Sequence, residues 1–138
     1  MTMFGKKPNK PQNRIDSLIG AGTRIEGNVS FAGGLRVDGE IRGNVTAAAD
    51  KPSTLVLSEH ALIEGEIRVS HLVVNGAING PVFAHESLEL QSNSRLRGDV
   101  HYSTLEMHLG AIVEGLLVHG AGETKTVELK LAASKSMS

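Results

Sequence analysis

Apolar and polar residues alternate with a period of two over a long stretch near the start of the chain. From residue 23 to residue 47 the odd positions read T-I-G-V-F-G-L-V-G-I-G-V-A, and most of the even positions are polar. This alternation places one set of side chains on one face of an extended backbone, but it continues far beyond the length of a typical strand. A chain that keeps one face inward over this length must bend around its own core. The pattern therefore predicts short strands joined by corners.

A five-residue motif, apolar-x-Gly-x-apolar, recurs along the chain. Its six copies are IEGNV (25–29), IRGNV (41–45), IEGEI (63–67), INGPV (78–82), LRGDV (96–100) and VEGLL (113–117). A leucine opens each unit, at Leu18, Leu35, Leu55, Leu72, Leu88 and Leu105, with spacings of 17, 20, 17, 16 and 17 residues. A repeat of this length around an apolar interior predicts an all-β fold, a parallel β-helix of about six coils. The longest unit contains AAADKP (47–52), which we expect to loop out of the wall.

Glycine occupies inward positions of this alternation, where it would weaken an ordinary strand. We interpret these positions as corners, because a residue without a side chain leaves room where the wall of the coil turns. The expected corner glycines are Gly27, Gly39, Gly43, Gly65, Gly76, Gly80, Gly98 and Gly115. Pro81 follows one of them and lacks a backbone N–H, so we expect a local break in strand pairing there.

Alignment of the units on their glycines predicts a column of polar side chains on the outer wall. Its members are Glu26, Arg42, Glu64, Asn79, Arg97 and Glu114, and most neighbours in the column have opposite charges. Each opposed pair would contribute roughly 0.2–1 kcal/mol and would penalise a slip of one coil. The alternative, ordinary solvated surface charge, fits the same residues equally well.

Composition limits the classes of protein to which the chain can belong. Its 138 residues suffice for one domain with a modest core. Aromatic residues make up 3%, so Val, Ile, Leu and Ala must fill a narrow interior. The formal charge of −1 offers no overall field to attract nucleic acid, and the absence of cysteine excludes disulfides and fits a reducing compartment. No apolar run approaches the roughly 18 residues of a membrane span, so we expect a cytoplasmic protein.

The stretch IGAGTRIEGNVSFAGGLRVDGEIRGNV (19–45), with the later IEGEI and INGPV units, resembles the bactofilin family of bacterial cytoskeletal proteins. The resemblance covers about residues 15–120. It implies a right-handed parallel β-helix that polymerises end to end, without nucleotide or cofactor, into non-polar filaments. It also implies a non-enzymatic scaffold on the cytosolic face of the inner membrane, with inner-membrane lipids and cell-wall or cell-shape proteins as partners.

Three segments follow from the repeat and the resemblance together. We expect a disordered N-terminal tail over residues 1–14, a β-helix polymerisation domain over residues 15–120, and a flexible C-terminal tail over residues 121–138. Neither flank of the repeat contains an amphipathic helix that could cap the terminal coils. The predicted polymerisation interface is therefore the apolar part of the first and last coils, namely Ile19, Ile25, Val29, Phe31, Leu105, Met107, Leu116, Leu117 and Val118. The alternative is that residues 127–131 fold over the last coil as a cap.

The first ten residues, MTMFGKKPNK, combine apolar and basic side chains in a way that suits the surface of an anionic membrane. The candidate membrane-targeting residues are Met1, Met3, Phe4, Lys6, Lys7 and Lys10. One buried Phe contributes about 1.5–3 kcal/mol and each lysine near an anionic leaflet about 1 kcal/mol, so a single copy would bind weakly. A filament displays many copies, and multivalency would raise its avidity. A disordered leader with a chance phenylalanine is the simpler alternative.

The rival function is that of a left-handed β-helix acyltransferase with hexapeptide repeats, which acts as a trimer. That fold needs an apolar residue at every sixth position, whereas these coils follow a period of two and vary in length. The histidines, at positions 60, 71, 85, 101, 108 and 119, stand at different offsets from their glycines, so we expect no metal site among them. The sequence also lacks the Gly-x-Ser-x-Gly motif of serine hydrolases and the Gly-Lys-Ser/Thr ending of a phosphate loop. We therefore predict no catalytic residue and no cofactor.

Overall fold

The period-two segments fold as short strands because each corner interrupts the extended backbone after a few residues. The computed structural model describes residues 15–120, in which every strand pairing is parallel and no helix occurs. The strands are β1 (Ser17–Ile19), β2 (Arg24–Glu26), β3 (Val29–Phe31), β4 (Gly34–Val37), β5 (Glu40–Arg42), β6 (Val45–Ala47), β7 (Thr54–Leu57), β8 (Leu62–Glu64), β9 (Ile67–Val74), β10 (Ala77–Asn79), β11 (Val82–Leu90), β12 (Arg95–Arg97), β13 (Val100–Met107), β14 (Ile112–Glu114) and β15 (Leu117–His119). They form a parallel β-helix of about six coils, as the repeat predicts.

Each coil contributes one strand segment to each of three faces. The second face is a separate sheet in the order β14-β12-β10-β8-β5-β2. The long strands β9, β11 and β13 pass through a corner, so each belongs to the third face of one coil and to the first face of the next. In β9, for example, residues 67–68 pair with β6 and residues 71–74 pair with β7. Each coil thus lies in register on the one before it.

Columns of aliphatic side chains fill the interior. On the first face Leu35, Leu55, Leu72, Leu88 and Leu105 are partners in register, as the spacing of the leucines predicts. Leu18 does not belong to this column, because Ser17 is the partner of Leu35 and Leu18 lies beside Arg36. A shift of one residue turns a strand side chain to the opposite face, so Leu18 is 61% exposed.

In the middle of the stack, the inward side chains of the other two faces are also almost completely buried. Side chains with no more than 1% exposure include Ile41, Ile63, Ile78 and Leu96 on the second face, and Val45, Ile67, Val82 and Val100 on the third. Val, Ile and Leu suffice because the three faces lie close together. The connection between β6 and β7, residues 48–53, contains no strand, which agrees with the insertion predicted there.

Six motif glycines stack at the corner between the second and third faces. The φ angles of Gly27, Gly43, Gly65, Gly80, Gly98 and Gly115 lie between 138° and 158°. In the last five, an added Cβ would lie 2.1–2.6 Å from the carbonyl oxygen of the motif glycine in the preceding coil. Gly39 and Gly76 lie at the corner between the first and second faces, where a Cβ would approach a backbone oxygen to 2.4 Å. Glycine is needed because consecutive backbones approach so closely, more than because the corner points inward.

The position after each motif glycine forms a second ladder that explains Pro81. The side-chain oxygen of Asn28 accepts a hydrogen bond from the backbone N of Asn44 (2.9 Å), and Asp99 accepts one from Leu116 in the same way (3.1 Å). At the position directly after the glycine, the backbone nitrogens of Asn44, Glu66 and Leu116 therefore donate to side chains and not to the strand ladder. The carbonyl of Pro81 still accepts from the N–H of Ile67 at 3.0 Å, so the predicted break in pairing is wrong.

The predicted outer column exists, and its register is that expected from the glycines. Within it, Arg42 lies 3.5 Å from Glu64 and Arg97 lies 3.1 Å from Glu114. All four side chains are at least 40% exposed. Such exposed pairs contribute about 0–1 kcal/mol each, so the column favours the correct register without being a main source of stability.

Three glycine substitutions separate backbone strain from the close approach of the coils. Gly65→Ala should lower the free energy of unfolding by about 3 kcal/mol or more, because its Cβ would lie 2.1 Å from the carbonyl oxygen of Gly43 at a φ of 154°. Gly27→Ala has the positive φ with nothing within 4 Å, and should cost about 1–2 kcal/mol. Gly20→Ala has neither feature and should change stability by less than about 0.5 kcal/mol.

The measurement is thermal and urea unfolding of the three variants, with circular dichroism as the signal that monitors unfolding. Equal losses at Gly65 and Gly27 would show that backbone conformation alone accounts for the glycine, and that the close approach of the coils adds nothing.

Candidate polymerisation interface

The first coil exposes a slice of the core, which we call the head surface and define as Ile19, Ile25, Val29 and Phe31. All four residues pack against the buried core but remain partly exposed. Ile25, for example, is the register partner of the fully buried Ile41. Ile25 is more exposed because no described coil lies on its other side. The head surface is thus the end of the aliphatic columns.

The backbone of the first coil is also half-paired. Within residues 15–120, β1 pairs with β4, β2 with β5 and β3 with β6, each along one edge. The peptide groups on the opposite edge have no strand partner among the described residues. An open edge with apolar side chains beneath it is a template for another strand.

The last coil forms the tail surface, which we define as Leu105, Met107 and Val113. Leu105 and Val113 are partly buried against the core, and Met107 is 41% exposed. Of the other residues predicted to form the interface, Leu116 is 48% exposed, while Leu117 and Val118 are 6% exposed. Leu117 and Val118 therefore offer little surface to a second molecule in this structure.

Two exposed apolar residues of the last coil were missed in the sequence. Leu109 is 94% exposed and Ile112 is 46% exposed. Leu109 stands in a turn closed by a hydrogen bond from Ala111 to His108, at the position that Glu59 and Ser92 occupy in earlier coils. A leucine at a turn position that holds Glu59 and Ser92 in earlier coils was the available signal.

The predicted membrane-targeting residues, Met1, Met3, Phe4, Lys6, Lys7 and Lys10, lie outside the described residues, and so does the segment 127–131. Within residues 15–120 there is no helix with the length and hydropathy to span a membrane.

A charged cluster on the first face lies beside the tail surface. The Nε2 atom of His108 is 3.2 Å from one carboxylate oxygen of Glu89 and 3.2 Å from one of Glu106. The offsets of the histidines alone do not predict this group, in which Glu89 and Glu106 are register partners. Two carboxylates and an imidazole are chemically able to hold a divalent cation, but the imidazole already lies within hydrogen-bond distance of both carboxylates.

An outward stack of three side chains crosses the third face. The guanidinium of Arg68 lies 4.1 Å from the ring centre of Phe83, and the ring of Phe83 stacks on His101 with centroids 4.3 Å apart. Burial lowers the pKa of His101 below its ordinary value of 6.5; Asp99 acts in the opposite direction, and Arg68 lowers the pKa further. The stack therefore favours the neutral imidazole.

A family model for bactofilins, described as polymer-forming cytoskeletal proteins, matches residues 17–118. The chain belongs to the bactofilin family. The match begins with β1 and ends within β15, so it covers the solenoid from the head surface to the tail surface. Self-association into a cytoskeletal polymer is the property that this membership carries.

Two curated relatives come from Myxococcus xanthus (strain DK1622). The chain is 24% identical to bactofilin BacP over 110 residues, which is 80% of this chain and 44% of BacP. It is 22% identical to bactofilin BacO over 100 residues, which is 72% of this chain and 76% of BacO. The chain thus spans less than half the length of BacP. No solved structure gives a significant match.

The stack on the third face predicts a pH dependence of stability for this bactofilin. Because the pKa of His101 is lower in the folded protein, the unfolded chain takes up a proton first as the pH falls. The contribution of His101 to the free energy of unfolding is therefore complete above the pKa of the unfolded chain, about 6.5. It is lost as the pH falls from that value to the lower pKa of the folded protein. The melting temperature should fall between about pH 7.5 and pH 5.5, and His101→Phe, which keeps a ring against Phe83, should reduce that fall.

The measurement is thermal unfolding across that pH range. His85→Phe is the matched control, because His85 is an exposed histidine outside the stack. A fall of equal size in wild type, in the control and in His101→Phe would contradict the assignment.

Proposed function

We propose that this bactofilin is a non-enzymatic scaffold that assembles end to end, without nucleotide, through its head and tail surfaces. The observation that carries the proposal is that both terminal coils leave apolar core and strand edges uncovered among the described residues. A second molecule on such an end would cover the same kinds of group, apolar core side chains and strand edges, that a neighbouring coil covers inside the molecule. No bound nucleotide is needed to create these surfaces, because they belong to the folded monomer.

The filaments that we propose have no polarity. A head-to-head contact and a tail-to-tail contact each use the same surface on both molecules and are related by a two-fold axis. Alternation of the two contacts gives a linear polymer whose ends are equivalent. A head-to-tail contact would instead give a polar filament.

We further propose that the N-terminal decapeptide attaches the filament to the cytosolic face of the inner membrane, where it supports cell shape or cell-wall organisation. The support is chemical: three lysines, two methionines and a phenylalanine stand within ten residues. Their combined attraction is marginal for one copy, whereas a filament presents one decapeptide per subunit and gains about 10²–10⁴ in avidity. Attachment is thus coupled to assembly.

Charge placed in either end surface should stop assembly. Phe31→Arg in the head surface and Met107→Arg in the tail surface should each reduce filaments to small oligomers, because the contact would bury a guanidinium that has no partner. Electron microscopy of the purified protein without nucleotide, with sedimentation, measures the result.

Leu62→Arg is the matched control for the end variants. Leu62 lies in the middle of the stack on the outside of the second face, as the register partner of Glu40, so an arginine there is accommodated. This variant should polymerise like wild type. Filaments of normal length from both end variants, with the control also normal, would exclude the terminal coils as the interface.

Deletion of residues 1–10 should release the protein from anionic liposomes and leave filaments intact. Co-sedimentation with vesicles that contain phosphatidylserine measures the release, and replacement of Lys6, Lys7 and Lys10 by Gln is the milder variant that should weaken binding at low salt. Undiminished binding of the deletion variant would exclude the decapeptide as the anchor.

A further inference from the structure

The second face carries a two-by-two pattern of charges at the head of the solenoid. In the first coil β2 reads Arg24-Ile25-Glu26, and in the second coil β5 reads Glu40-Ile41-Arg42. Arg24 lies 3.6 Å from Glu40 across the coils. The register places Glu26 beside Arg42 and Ile25 over Ile41. The second coil thus presents to the first the complementary order of charges.

A second copy of β2 that runs antiparallel to the first presents the same order of charges to it as β5 does. Read backwards, Arg-Ile-Glu becomes Glu-Ile-Arg, which is the order that β5 presents. We propose, as a deepening of the head-to-head contact on which it rests, that β2 pairs antiparallel with β2 of a second copy about a two-fold axis at Ile25. Arg24 then lies opposite Glu26 of the second copy, and Ile25 lies opposite its own counterpart.

The rest of the head surface is compatible with this axis. A two-fold axis through the middle of the second face exchanges the first and third faces. It therefore places β1 over β3 of the second copy, and Ile19 meets apolar residues of the third-face strand. The outward residues meet outward residues, since Leu18 and Ser30 are the middle residues of β1 and β3. One symmetric contact thus buries the four residues of the head surface.

The same charges oppose a contact between head and tail. In the last coil β14 reads Ile112-Val113-Glu114, in the same columns as Arg24, Ile25 and Glu26. A parallel continuation of the stack would place Glu114 against Glu26 and would leave Arg24 opposite Ile112. Like charges directly opposite each other destabilise a strand pair. The head therefore selects another head.

The position of the axis can be tested by cross-linking, because the chain contains no cysteine. Directly opposed residues of antiparallel strands have Cα atoms about 4.5–5.5 Å apart, a separation that a disulfide spans. Ile25→Cys should therefore give a covalent dimer under mild oxidation of the assembled protein. Ser30→Cys is the control. It should form no covalent dimer, because the proposed axis places residue 30 opposite Leu18 of the second copy and not opposite residue 30.

A charge-reversal experiment tests the pairing itself. Arg24→Glu and Glu26→Arg each place like charges across the axis, and each should weaken head-to-head association roughly tenfold or more. A mixture of the two variants should restore it, since an acidic head now meets a basic head.

Met107→Arg in every chain blocks the tail, so that sedimentation velocity reports head-to-head dimers. Arg97→Glu, a reversal on the same face far from the head, should leave the dimers unchanged.

The outcomes separate this inference from the function on which it rests. Restoration by mixing, together with the Ile25→Cys dimer, supports the axis at Ile25. If the single reversals keep their dimers, or if Ser30→Cys cross-links and Ile25→Cys does not, the register is overturned while end-to-end assembly stands. If unmodified protein forms no polymer, the proposed function itself fails.

Discussion

The close stacking of backbone on backbone is the constraint on which the rest of this structure depends. Each coil lies one strand spacing, about 4.8 Å, from the next, and at the corners the approach is close enough that a Cβ on Gly65 would lie 2.1 Å from the carbonyl oxygen of Gly43. The motif glycines, the aliphatic columns and the polar corner ladder all follow from that repeat. A coil cannot bury its apolar face alone, so stability belongs to the stack.

Among residues 15–120, the stack of coils has two ends on which no further coil lies. The interactions that hold coil to coil are the backbone ladder, the columns of Val, Ile and Leu, and outward pairs such as Arg42 with Glu64. None of these is special to the inside of one molecule. A second molecule on the head surface would meet the same kinds of group that the second coil presents. In the proposed assembly, polymerisation therefore uses the same kinds of interaction as the stacking of coils within one molecule.

Most of the fold could be predicted from the sequence, because the corner glycines and the period of two are local signals. The errors come from register and from context. Leu18 continues the run of leucines in the sequence, but a shift of one residue turns it outward to 61% exposure. Pro81 is harmless because, in other coils, the backbone nitrogen at its position donates to a side chain and not to the strand ladder, which cannot be seen from proline alone. Of the interface residues, Leu117 and Val118 could be placed in the last coil, but their burial depends on three-dimensional surroundings.

The two ends differ in chemistry, and this difference bears on how a filament is organised. The outer wall of the head carries Arg24 and Glu26, a sequence that is complementary to itself when reversed. The last coil contains Glu114 and the exposed apolar side chains of Leu109, Ile112 and Leu116. Under the proposed assembly, the charged head selects its partner and sets the register, because a mismatch brings like charges together. Apolar contact at the tail lacks that selectivity. Head-to-head and tail-to-tail contacts then alternate regularly along the filament, because the head surface does not accept a tail surface as its partner.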